Sequence, residues 1–125
     1  HDRPVALIIT AGVTLHEALK AQKTLAKEGM ETVVMDCYSV KPLDVQSISR
    51  LVMETKNVIV VEDHYPAGGI GEAVADLIVN CKLKIDNYTH LCVHKLPRSG
   101  TPDELLRFEE IDSEAIIKAV KRFSP

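Results

Sequence analysis

The sequence predicts a doubly wound α/β domain: a mostly parallel sheet with strands in the order 2-1-3-4 and helices on both faces. Two observations carry this. Four short runs, residues 5–9 (VALII), 32–37 (TVVMDC), 57–62 (NVIVVE) and 89–94 (THLCVH), are largely apolar instead of alternating with polar residues. That is the pattern of strands buried on both faces of a parallel sheet. Between and after these runs the apolar residues recur at helical spacing, so strand and helix alternate along the chain. Right-handed crossovers then distribute the helices over both faces.

Residues 5–9 make the first strand and residues 10–13 a turn. Thr14-Leu15-His16-Glu17 has the spacing of a capping box, in which Thr14 and Glu17 satisfy each other's free backbone donors. Leu15, Ala18, Leu19, Leu25 and Ala26 give the first helix its apolar side, and Gly29 closes it where a left-handed residue is favoured. After the second strand, Lys41-Pro42-Leu43-Asp44 starts a helix that carries Val45, Ile48, Leu51 and Val52 on one face. The third strand leads into a helix marked by Ile70, Ala73, Val74, Leu77 and Ile78. Residues 82–86 are a candidate for an extra edge strand, antiparallel in sense. Beyond the fourth strand, Thr101-Pro102-Asp103-Glu104 repeats the capping-box spacing, with proline at the first helical position. Asp112 caps a last helix bearing Ile116, Ile117, Val120 and Phe123.

Composition narrows the function classes. With 125 residues, 46% of them hydrophobic, the chain can bury one core without disulfides or metal. A single domain over residues 1–125 is expected, and a start at His1 instead of Met suggests part of a longer protein. The net charge of -3 argues against general nucleic-acid binding, which calls for a basic face. No apolar run approaches the roughly 20 residues that span a bilayer, and no secretory leader is recognisable. No membrane association is expected. Cys37, Cys81 and Cys92 are odd in number and form no C-x-x-C pair, which points to a reducing, cytoplasmic setting.

In such folds the loops after the strand carboxyl ends line a crevice where the winding reverses, here between the first and third strands. Asp63, His64, Gly68, Gly69, Gly71, Arg98 and Ser99 are therefore the candidate ligand or interface edge. Gly68-Gly69-Ile70-Gly71 is neither a G-x-G-x-x-G fingerprint nor a Walker loop. Its amides at a helix start can hold an anion, or its glycines only permit the turn and close packing on the sheet. His64 beside Asp63 has the composition of a base with an orienting carboxylate, but neighbours on an extended segment point opposite ways, and no nucleophile elbow accompanies them. His90 and His94 share a strand face with Cys92 between them, yet about 13 Å of strand separates the two histidines, too far for one ion. Arg98, between Pro97 and Gly100, clamps a phosphate or carboxylate, or pairs with a domain or subunit partner. No catalytic, cofactor-binding or metal-ligating residue is assigned.

Three stretches taken together are more specific. "VKPLD" (residues 40–44), "VIVVEDHYPAGGIGEAV" (residues 58–74) and "LPRSGTPDELLRFEEID" (residues 96–112) resemble the C-terminal domain of transketolases, animal-type or transketolase-like. The resemblance runs nearly the whole length. It implies a parent enzyme that moves a two-carbon ketol unit between sugar phosphates of the pentose phosphate pathway, as a homodimer dependent on thiamine diphosphate and Mg²⁺ or Ca²⁺. It also implies that cofactor and metal are held by other domains, since no G-D-G motif occurs here. The domain itself then serves dimer assembly and packing against other domains of the chain, with a regulatory ligand as a further role. Tyr65-Pro66-Ala67 departs from the more polar segment expected there, and its proline removes a backbone donor. Two other readings are a small regulatory module that binds a phosphorylated ligand or other anion, and the C-terminal domain of a thiamine-dependent 2-oxoacid dehydrogenase β subunit. The P-R-S-G string counts against the latter.

Overall fold

The computed structural model describes residues 3–11, 14–37, 44–62, 69–92 and 111–123. Four strands, β1 (Ala6–Thr10), β2 (Thr32–Asp36), β3 (Asn57–Val61) and β4 (Asn87–Leu91), alternate with helices α1 (Thr14–Lys27), α2 (Val45–Thr55), α3 (Ile70–Asn80) and α4 (Ser113–Lys121). The strands form one sheet in the order β2-β1-β3-β4. Every pairing is parallel, with Leu7 opposite both Val33 and Val58, and Val58 opposite Tyr88. The expected fold class and strand order hold.

Alternate strand residues face two separate cores, because side chains of a strand point to opposite sides. Leu7, Ile9, Val58 and Val60 pack against Ile48 and Val52 of α2 and Ile70, Val74, Leu77 and Ile78 of α3. Ala6, Ile8, Ile59 and Val61 pack against Ala18, Ala21 and Leu25 of α1 and Ile116, Ala119 and Val120 of α4. The central strands β1 and β3 are therefore apolar on both faces, save for Thr10 at the end of β1 and Asn57 at the start of β3.

Two helices end in the same way. Gly29 has φ 81°; its amide donates to Ala26 and that of Met30 to Leu25, which is the Schellman pattern. Leu25 and Met30 then meet in one core. After α3, Lys82 takes the left-handed role with φ 54°, and the amides of Lys82 and Leu83 return to Val79 and Ile78. This closure accounts for residues 82–86, which are turn and irregular chain instead of an edge strand. β4 begins two residues earlier than expected because Asn87 pairs with Asn57 in register, reinforced by a side-chain bond of 2.8 Å.

The capping box at Thr14 and Glu17 is not what forms. Thr14 Oγ1 lies 2.7 Å from the Ala11 carbonyl and 2.8 Å from that of Val61, and accepts from the Ala11 amide. Glu17, almost fully buried, instead accepts from the Ser113 amide at 2.8 Å and pairs with Lys20. Both side chains thus tie α1 to distant elements, a tertiary demand that outweighs the local cap. Asp44 and Asp112 do cap α2 and α4, accepting from Ser47 and Ala115. The short helix expected from Thr101 lies outside the described residues.

Replacing Gly29 by alanine isolates a conformational cost, since an added Cβ meets nothing within 4 Å. A loss of about 1–2 kcal/mol is expected for a left-handed L-residue, read from urea midpoints; an unchanged midpoint contradicts the assignment. The thiols make a second prediction. None of the three cysteines forms a disulfide, and only Cys81 is exposed. Burial raises the Cys37 and Cys92 thiols above their ordinary values, with Asp36 and Glu62 adding to it respectively. A thiol reagent at neutral pH should modify Cys81 first and the other two only on unfolding; equal rates in the folded protein contradict this.

Candidate functional site: a carboxylate-filled corner at the sheet edge

The winding reverses between β1 and β3, and the structure shows what lies at their carboxyl ends. Glu62 immediately follows β3 and is 0% exposed. Its amide donates to Leu91 of the edge strand at 2.9 Å. Its carboxylate reaches the start of α3. Oε2 accepts from the Ile70 amide and Oε1 from the Gly71 amide, both at 2.8 Å. His90 Nε2 stands 2.6 Å from the same Oε1. A carboxylate oxygen only accepts, so Nε2 carries the proton in this contact, and the pair is ionic whenever the ring is protonated.

The arrangement satisfies a carboxylate that would otherwise be very costly to bury. It also satisfies two of the amides that a helix start leaves without partners, in the field of the helix dipole that favours negative charge there. Two residues before His90 on the same strand, the Tyr88 hydroxyl donates to the Gly71 carbonyl at 2.5 Å. Burial first, then the Glu62 and Cys92 charges, hold the Tyr88 phenol well above the usual tyrosine range. It remains a donor at any physiological pH.

The glycines now have a physical reason. Gly69 precedes α3 with φ -102° and ψ -166°, a conformation open to any residue. What forbids a side chain is space: a Cβ on Gly69 would collide with the Glu62 carboxyl group, and one on Gly71 with the His90 ring. The close-packing alternative, with the carboxylate as the packing partner, is the one realised at these two positions.

Of the sequence-derived edge residues, Gly69 and Gly71 come together at this corner. Asp63, His64, Gly68, Arg98 and Ser99 lie outside the described residues, as does His94. Of the residues that build the corner, Glu62 and Tyr88 were not singled out, and His90 was weighed only as a metal ligand beside His94. A usable signal existed: Glu62 is an acid directly after a buried apolar strand, eight residues before a glycine-flanked helix start. Among the described residues, no three His, Cys, Asp or Glu side chains group as metal ligands.

Glu62→Gln tests the corner. A carboxamide turns one acceptor oxygen into a donor, leaving a buried N–H facing another N–H. The expected cost is on the order of 1–3 kcal/mol, and Gly71→Ala should act in the same direction by displacing His90. Urea denaturation of both variants checks this; wild-type stability in both contradicts the described geometry.

Comparisons with known proteins agree with this architecture and name a family. Residues 1–116 match the family described as transketolase, C-terminal domain. Human transketolase is 48% identical over 115 residues, covering 91% of this chain and 18% of that protein. Bovine transketolase-like protein 1 is 44% identical over 123 residues, covering 92% and 19%. Among solved structures, a split-gene transketolase described as an inactive β4 tetramer superposes with a TM-score of 0.87 at 27% identity, covering 97% of this chain and 39% of that one. The chain spans less than a fifth of the length of these curated relatives. Residue pattern, sheet order and family match converge: the chain belongs to the transketolase C-terminal domain family.

Proposed function

We propose that this domain is the non-catalytic third domain of a thiamine-diphosphate-dependent transketolase, a transferase that moves two-carbon ketol units between sugar phosphates. Its work is assembly: it packs against the other domains of its own chain and against a second identical subunit, in the cytoplasm. The observation that carries the reading is the family match over residues 1–116 by a chain equal to 18% of the transketolases it resembles. A segment of that size leaves most of the relatives' length to hold cofactor, metal and substrate.

The corner geometry supports the same division. Both oxygens of Glu62, the His90 ring, the Tyr88 hydroxyl and Thr14 Oγ1 are all engaged in joining β1, β3, β4, α1 and α3. Groups fixed in this way stiffen a scaffold and are poor candidates for moving protons or binding a reacting carbonyl. Arg98 and Ser99 are proposed as contacts to a neighbouring domain or subunit. No helix among the described residues is long and apolar enough to cross a membrane.

The test is direct. The purified 125-residue chain, supplied with thiamine diphosphate, Mg²⁺ or Ca²⁺, a ketose phosphate and an aldose phosphate, should show no ketol transfer and no saturable thiamine diphosphate binding by calorimetry. Turnover, or tight cofactor binding by this chain alone, would refute the assembly reading.

A further inference from the structure

We propose that the start of α3 is an anion seat whose permanent occupant is the chain's own Glu62 carboxylate, so that a phosphorylated or carboxylated metabolite in this crevice gains no binding from it. The inference does not depend on the assembly role proposed above. It concerns which regulatory chemistry the fold leaves open.

A doubly wound sheet usually offers its switch-point crevice to ligands, and a helix start there offers amides and a favourable dipole to an anion. Here those same donors are already converged on one acceptor. Two backbone amides at 2.8 Å and an imidazole Nε2 at 2.6 Å surround a carboxylate, a donor set suited to a bound carboxylate or phosphate. The acceptor is covalently attached at the end of β3, so its effective concentration exceeds that of a free metabolite. Glu62 is fully buried, so an incoming anion cannot reach these donors without first displacing it. The space a larger anion needs is also taken, because the clearance of Gly69 is filled by the carboxyl group and that of Gly71 by the His90 ring. Across the crevice, Thr14 Oγ1 closes the gap between the first loop and the last carbonyl of β3.

Two measurements decide this. In the wild-type chain, the amide NMR signals of Ile70 and Gly71 should not move when inorganic phosphate or acetate is titrated at constant ionic strength. Saturable movement of both overturns the proposal. In Glu62→Ala the seat is emptied while its donors remain. Formate or acetate, exchanged for chloride at constant ionic strength, should then raise the melting temperature by several degrees in a saturable way, with no comparable effect on wild type. If the variant does not fold in chloride, the same anions are supplied during refolding, and recovery of the fold is the expected result. Failure of formate and acetate to rescue either stability or folding overturns the proposal.

Discussion

A single buried carboxylate sets the terms for one edge of this domain. Glu62 ends the central strand β3 with its side chain turned into protein, where an unpaired charge would be prohibitive. Everything nearby answers that constraint. The α3 helix begins where its first amides can point at the carboxylate, and glycine stands at 69 and 71 because a side chain would fall on its acceptor or on the imidazole beside it. Edge strand β4 supplies His90 in register with Val60 and Tyr88 in register with Val58. The link therefore runs from sequence position, through charge compensation, to the relative placement of two strands and a helix.

The second buried acid follows the same logic on the opposite face. Glu17 of α1 gives an oxygen to the Ser113 amide at the start of α4, a start that Asp112 also caps. Glu17 thus joins α1 to α4, and Thr14 joins α1 to the end of β3. Internal carboxylates occupy the starts of α3 and α4. These bonds stiffen the domain. For the assembly role proposed above, rigid outer surfaces lower the ordering cost of association.

How much of this was legible in the sequence depends on range. The strands and helices were readable because apolar periodicity is a local signal. β1 and β3 are apolar at four of five positions each, and Gly29, Asp44 and Asp112 mark ends by chemistry confined to a few residues. The strand order followed from alternation and crossover rules. What failed was partner assignment. Thr14 and Glu17 have ideal spacing for a local cap, yet their partners lie 47 and 96 residues away. Glu62 and His90 are 28 residues apart, and no spacing rule within one element relates them. The glycine string was legible as a backbone feature, but its reason, room for a carboxylate and an imidazole, needed the fold. Residues 63–68 and 93–110, which carry most of the sequence-derived edge, lie outside the described residues.

The central claim, that the Glu62 carboxylate holds the first turn of α3 from inside the fold, is most directly tested by amide hydrogen exchange. First-turn amides of a helix have no intrahelical acceptor and ordinarily exchange quickly. The account predicts that Ile70 and Gly71 exchange slowly, with protection comparable to that of Ile59 and Val60 in the adjacent core strand. Exchange of these two amides at the rate of a solvent-exposed helix start would contradict it.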